Sequence, residues 1–325
     1  MEMLGIPRVT TVDGTNIAWS EMGPGRVADA RPAVVLLHGM GDSHRTWRRT
    51  APELARHFRV IMPDLPGHGL SSRPDAPYTL EWYARVMRGF LDALDLPRVH
   101  LIGHSFGGGI AQWMLLEDAQ RIERLVLVAP GGLGRGVSIG LRLASFPVVA
   151  PIVAPHLMGL GTRVMMRTGA SELAAVESDE IARSAWMNAA PGSARAFCRT
   201  VSGCIDLFGQ TLQAWDRLHE VHELPPIKLV WGARDRIVPV QHGIEASMRF
   251  EGATFARYDQ SGHFPHLDES RRFGSEVARF LDPTLTQQRA RVRPLPILVR
   301  RAGPWRRMWQ GVRRAMRARL RALAA

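Results

Sequence analysis

Cysteine is nearly missing: Cys198 and Cys204 are the whole complement of a 325-residue chain. Two thiols are too few for a disulfide framework or a cysteine-ligated metal cluster, and they read as small side chains in a reducing compartment. Neither a metal-ligand spacing nor a phosphate-binding glycine loop is present, so no cofactor and no metal is expected. No uninterrupted apolar stretch has the length of a membrane span. The first residues, Met1 to Val12, lack the charged-then-apolar pattern of a secretory signal, so a cytoplasmic location is expected. Charged residues make up 22% of the chain and hydrophobic residues 46%, the balance of a globular protein rather than a disordered one.

Carboxylates are also missing from one end. The last is Asp282, and the 43 residues that follow hold 12 arginines. Removing those 12 from the 42 basic residues leaves 30, against 30 carboxylates in the whole chain. The part up to Asp282 is therefore neutral, and the net charge of +12 belongs to the tail alone. Nucleic acid is not indicated as the ligand of the main body.

What is there alternates. Arg8 to Val12 and Thr15 to Ser20 flank Asp13-Gly14, the pattern of a hairpin with a tight turn. Pro32 to Leu37 is a continuous apolar run, the mark of a strand buried on both faces of a parallel sheet. Trp47, Leu54 and Phe58 mark a helix leading into a strand over Phe58 to Met62. A turn-rich loop, Pro63 to Ser71, follows. Thr79 can cap a helix over Leu80 to Leu94. Another buried strand spans Arg124 to Ala129, and the pattern resumes with Ile227 to Trp231, Thr254 to Tyr258 and a helix over Arg271 to Leu281. Strands alternating with helices after a hairpin predict a mostly parallel α/β sheet flanked by helices. Between Gly131 and Glu223 no strand-like run occurs, and aliphatic residues and methionine are plentiful. The expected organisation is a core of residues 1–131 and 224–282, a helical cap of 132–223, and an arginine-rich linker and tail of 283–325.

One stretch organises the rest. Val99 to Ile102 has β character and stops at Gly103, while Ile110, Trp113, Met114 and Leu115 recur at the spacing of an amphipathic helix. Ser105 therefore sits at a strand-to-helix turn within Gly103-His104-Ser105-Phe106-Gly107. Such a turn is tight, so the residues two before and two after the serine must be small, which Gly103 and Gly107 satisfy. It lifts the hydroxyl out of the sheet and leaves N–H groups at the helix N-terminus to face an anion.

Three further motifs each follow an expected strand: His38-Gly39, Gly232-Ala233-Arg234-Asp235 and Gly262-His263. With the serine turn they make the chain resemble the α/β-hydrolases that carry a helical cap, over roughly residues 8 to 282. The resemblance implies a Ser105–Asp235–His263 triad, in the chain order expected of that fold. A serine hydroxyl is a poor nucleophile at neutral pH and needs an adjacent base, the role of His263. A carboxylate that fixes the imidazole tautomer and stabilises the imidazolium is the role of Asp235. The tetrahedral oxyanion needs preorganised donors, here the backbone N–H groups of Met40 and Phe106. His266 and His242 compete with His263, and Asp206 and Asp259 compete with Asp235. His38 is expected to shape the oxyanion loop, and His104 to serve packing or access. Asp64 and His68 are expected to be structural.

A serine rather than an aspartate at the elbow points to an acyl-enzyme, hence to ester, thioester or amide hydrolysis. The expected substrate is a small carboxylic ester with an apolar or lipid-like acyl group, since the cap is rich in aliphatic residues. Relatives that hydrolyse carbon–carbon bonds of diketone acids often carry asparagine before the serine, where this chain has His104. That activity and a non-catalytic ligand receptor are the alternatives. In the tail, Trp305, Met308, Trp309, Val312, Met316, Leu320 and Leu323 recur at helical spacing with arginines between them. Residues 304–323 thus read as a basic amphipathic helix suited to an anionic membrane surface, which would place the protein at the inner face of the membrane. Docking of that stripe on protein and binding of nucleic acid compete with the membrane reading. The oligomeric state is not indicated.

Overall fold

In chain order the strands are β1 (Arg8–Val12), β2 (Thr15–Met22), β3 (Ala33–Leu37), β4 (Val60–Pro63), β5 (Val99–His104), β6 (Ile122–Val128), β7 (Ile205–Asp206), β8 (Gly209–Gln210), β9 (Ile227–Gly232) and β10 (Thr254–Tyr258). They come from a computed structural model that describes residues 4, 7–23, 32–146, 159–164, 178–211, 216–217, 220–250 and 252–286. Eight of them form one sheet in the order β1-β2-β4-β3-β5-β6-β9-β10. β1 and β2 pair antiparallel around Asp13-Gly14, where both residues take the positive φ that a two-residue hairpin turn demands. β2 also runs antiparallel to β4, and every pairing from β4 onward is parallel.

The parallel strands are apolar because helices cover both of their faces. All residues of β3, β4, β5 and β9 are buried. The core around them includes Ile17, Leu37, Tyr83, Phe90, Leu101, Leu125, Leu229 and Trp231. Each fully buried aliphatic or aromatic side chain of this kind contributes about 1.5–3 kcal/mol relative to exposure. The helix Leu80–Ala93 starts where expected, with the Thr79 hydroxyl accepting a hydrogen bond from the Trp82 N–H.

Four expectations need correction. The helix after the serine, Phe106–Glu117, is buried on every side from Phe106 to Leu115 rather than amphipathic, because it packs between the sheet and the helix Leu80–Ala93. The helix marked by Trp47, Leu54 and Phe58 is two short pieces, a 3-10 turn over His44–Trp47 and a helix over Ala51–Leu54. The segment between Gly131 and Glu223 is not purely helical, since β7 and β8 form a small antiparallel hairpin. Strand ends shift by one to two residues, as in Val60–Pro63 for the expected Phe58 to Met62.

The helices Ile139–Ala144, Ser178–Asn188 and Ser193–Cys204 also lie in this inserted segment. Of the aliphatic residues read as cap packing, Val148 to Met158 fall outside the described residues, as does the amphipathic stretch 304–323. Met1–Asp282 and Pro283–Ala325 are separate units. Among the described residues no helix is long and apolar enough to cross a membrane, and no cluster of three or more His, Cys, Asp or Glu is placed to hold a metal ion.

Candidate active site

Parallel strands collect chemistry at their carboxyl ends, because each hands its chain to a loop on that edge of the sheet. β3 delivers His38 to Asp42, β5 delivers Ser105, β9 delivers Asp235, and β10 delivers His263. Ser105 takes φ +52° and ψ −116°, a conformation that costs a non-glycine residue about 1–3 kcal/mol and must be held by its surroundings. The Ser105 N–H donates to Val128 O at 2.9 Å, and Ser105 O accepts from the Gly131 N–H at 3.0 Å. A Cβ at Gly103 would strike the Gly107 carbonyl, and one at Gly107 would strike the carbonyls of Leu37 and His38. The small residues expected there are thus required by backbone contact.

His263 Nδ1 lies 2.7 Å from Asp235 Oδ2, with both side chains buried. A carboxylate only accepts, so Nδ1 carries a proton and donates it, which turns Nε2 away from Asp235. Asp235 is itself fixed, its Oδ1 accepting from the N–H groups of Ile237 and Val238 at 2.8 and 2.9 Å. The competing residues go elsewhere: Asp206 faces Arg135, exposed Asp259 pairs with Arg257, and His242 packs against Gly134. His266 is buried with its Nε2 3.0 Å from Thr46 Oγ1.

Ser105 and His263 line one cavity of about 40 Å³ together with Gly39, Met40, Asp42, Leu141 and Phe264. No direct hydrogen bond joins Ser105 Oγ to His263, a bond that in unliganded sites is often long and tightens around substrate. Of the two residues expected to donate to an oxyanion, Met40 lines this cavity and Phe106 directly follows the serine that does. Gly39 is close enough to Ser105 that an added Cβ would touch its side chain. The N–H groups of Ser105, Gly108, Gly109 and Asp42 are all hydrogen-bonded, whereas no partner among the described residues is found for those of Met40 and Phe106. A larger hollow of about 800 Å³ borders Arg98, Asp118 and Pro226 at the opposite end of the sheet and contains none of these groups.

The supporting histidines are neutral and specific. His38 Nδ1 donates to Gly39 O at 2.7 Å and its Nε2 accepts from the Leu65 N–H at 2.9 Å, so its ring spans the oxyanion loop and the following turn. Burial holds its pKa below the usual histidine value. His104 Nε2 donates to the His263 carbonyl at 2.9 Å, which ties the serine turn to the histidine loop. Burial, reinforced by His266 and His263 nearby, pushes the His104 pKa well down. The Asp64 carboxylate accepts from His44 Nδ1 at 2.8 Å and from the N–H groups of His44 and Leu70, which organises the loop containing His68.

Sequence reasoning missed four contributors. Asp268 Oδ2 accepts from the Gly262 N–H at 2.9 Å, and Glu269 Oε1 accepts from Ser261 Oγ at 2.9 Å, so two carboxylates grip the loop just before His263. Asp42 lines the cavity, its Oδ1 accepts from the Ser43 N–H at 2.8 Å, and burial raises its pKa. Its position directly after Gly41 was a usable signal. Asn188 reaches the carbonyl of Gly41 from 147 residues away, and no local pattern announces that contact.

The family model described as the alpha/beta hydrolase fold matches residues 32–270. An uncharacterized protein of Mycobacterium tuberculosis is 36% identical over 267 residues, covering 80% of this chain and 78% of that one. A 2-hydroxymuconate semialdehyde hydrolase of a Pseudomonas species is 30% identical over 263 residues, covering 76% and 86%. Among solved structures, a meta-cleavage product hydrolase from Pseudomonas fluorescens superposes with a TM-score of 0.70 at 22% identity, covering 87% of this chain and 99% of that one.

Proposed function

From the premise that this chain belongs to the alpha/beta hydrolase fold family, we propose that it cleaves neutral, apolar carboxylic esters through an acyl-enzyme on Ser105. The observation that carries the reading is the buried Asp235–His263 pair, 2.7 Å apart, whose histidine lines the same cavity as a strained serine. His263 Nε2 takes the Ser105 proton as Oγ adds to the ester carbonyl carbon. The N–H groups of Met40 and Phe106 receive the negative charge that develops on the carbonyl oxygen. His263 then returns the proton to the departing alkoxide, and a water repeats the sequence to release the acid and restore Ser105.

Electrostatics supports a neutral substrate. Among the described residues lining the cavity there is no lysine or arginine. A substrate acid would bring its own carboxylate into that wall without a partner, which is costly in a desolvated site. Leu141 and Phe264 supply apolar surface. A second reading, carbon–carbon hydrolysis, is favoured by the 30% identity to the 2-hydroxymuconate semialdehyde hydrolase. The arginine-rich residues 283–325 are proposed to hold the protein on anionic membrane, and binding to anionic liposomes that survives their deletion would refute it.

The deciding experiment is hydrolysis of a nitrophenyl ester series of increasing acyl length, run beside a ring-cleavage dienoate. Wild type is expected to cleave the esters with a chain-length optimum, and Ser105→Ala to lose that activity together with fluorophosphonate labelling. Preferred turnover of the dienoate would install the second reading. No turnover and no labelling would leave neither standing.

A further inference from the structure

The oxyanion loop is held at its inner end by the core and at its outer end by the inserted segment. At the inner end the two nitrogens of His38 engage Gly39 O and the Leu65 N–H. At the outer end Asn188, the last residue of the helix Ser178–Asn188, donates from Nδ2 to Gly41 O at 2.5 Å. The same amide group reaches Thr162 Oγ1 at 2.9 Å, so Asn188 is itself anchored, and its side chain is buried. The Met40 N–H belongs to the Gly39–Met40 peptide, whose carbonyl oxygen accepts from His38. The Gly41 carbonyl that Asn188 holds shares its peptide with the Asp42 N–H, which donates back to Gly39 O at 3.3 Å, and Gly41 takes the positive φ of +72° within this turn. Met40 thus lies between the two anchors.

A second tie joins the same helix to the next turn of chain. Arg45 Nε and Nη2 make a bidentate pair with the Glu180 carboxylate at 2.9–3.1 Å. Glu180 and Asn188 are eight residues apart, slightly over two helical turns, so they share a face and span about 12 Å of helix. Both are buried, whereas Trp186, on the same helix, is 73% exposed. One helix face thus grips both Gly41 and Arg45.

We propose that Asn188 is a positioning residue for the oxyanion hole: by holding the Gly41 carbonyl it aims the Met40 N–H, so that the hole is complete only when the inserted helix is seated. This rests on the reading of Ser105 and Met40 given above. It predicts a particular kinetic split. An anchor of the oxyanion donor matters where charge has developed, and little where the ground-state ester binds.

The test uses three variants of the full chain. Asn188→Asp keeps the shape but replaces a donor with an acceptor facing a carbonyl. Asn188→Ala removes the group, and Trp186→Ala alters the exposed side of the same helix. For both Asn188 variants kcat is expected to fall about 10-fold or more with KM within about 2-fold. Inhibition by an aryl trifluoromethyl ketone, which forms the tetrahedral adduct, should weaken by the same factor. Fluorophosphonate labelling of Ser105 should persist, and Trp186→Ala should match wild type. Unchanged kcat in Asn188→Asp with a wild-type melting temperature overturns the proposal, as does a loss confined to KM or one not mirrored in ketone affinity. If wild type itself neither turns over ester nor takes the probe, the hydrolase reading fails and this one with it.

Discussion

Two loops carry the polar machinery of this site, and they are held in different ways. The histidine loop is gripped from several sides by the core: Gly262 by Asp268, Ser261 by Glu269, the His263 carbonyl by His104 and the His263 ring by Asp235. The oxyanion loop is tied to the core through His38 and the packing of Met40, and takes a further hydrogen bond from Asn188 of the inserted segment. In the function proposed above, the proton-transfer half of the site is built with the sheet, and the charge-stabilising half leans on an element that is added to it. A fold that separates these tasks can keep its nucleophile and base while a substrate-facing insertion decides when the transition state is stabilised.

The largest expected effect breaks the core side of the comparison. Asp235→Asn keeps an oxygen to accept from Ile237 and Val238, so the loop after β9 should survive. It cannot enforce a proton on His263 Nδ1, and the wrong tautomer leaves Nε2 without a lone pair. We expect kcat to fall by about 10⁴-fold with KM and melting temperature nearly unchanged. Steady-state hydrolysis of the preferred nitrophenyl ester, with a thermal melt alongside, checks both halves. A melt that collapses would mean Asp235 mainly holds the loop.

Next in size is the pH dependence of folding, which sharpens the same contrast because the core side is packed with neutral histidines. Burial lowers the pKa of His38, puts His68 near 3 and His100 near 4, and pushes His104 and His266 well below the usual value. In the unfolded chain all five titrate near 6.5. Below that pH the unfolded state binds protons that the folded state refuses, so stability falls as pH falls, toward the folded values. Each group contributes up to about 1.4 kcal/mol per pH unit in that window. Asp42, raised by burial, acts in the opposite sense but is a single group. The urea midpoint should be flat above about pH 7 and drop steeply from pH 6.5 to 4.5. A midpoint that stays level over that interval would mean these histidines are solvated.

How far the sequence could be read follows the same division. The core was legible because parallel strands covered on both faces are continuous apolar runs, as in Ala33–Leu37, and because the catalytic candidates follow strands in chain order, Ser105 directly and Asp235 and His263 a few residues on. Local chemistry also marked the Asp13-Gly14 turn and the Thr79 cap. The inserted segment resisted. Strands of two residues, Ile205–Asp206 and Gly209–Gln210, have no periodicity to detect. The helix Phe106–Glu117 was read as amphipathic from four residues, but its three glycines and Gln112 are buried too, because close packing rather than polarity chooses its neighbours. Contacts such as Asn188 to Gly41 or Arg45 to Glu180 join residues more than 130 positions apart, and a single chain carries no sign of them.

The smallest expected effect tests whether the two ties of the inserted helix act as one. Glu180→Gln removes a charge but leaves an amide oxygen that can still accept from Arg45, so one of the bidentate hydrogen bonds survives. The pair is half-buried on the Arg45 side, with that side chain 20% exposed, so water can take over part of what is lost. We expect kcat to fall only about 2- to 3-fold, with KM unchanged. The informative quantity is the double variant with Asn188→Asp. If Glu180 acts only by seating the helix so that Asn188 can reach Gly41, then once Asn188 cannot donate, the Glu180 change should cost nothing further, and the two effects should fail to multiply. If they multiply, Arg45 and Gly41 are held independently, and the oxyanion loop has two separate supports on the inserted helix instead of one. Either result is read from kcat values of four proteins, with ketone affinity as the second axis.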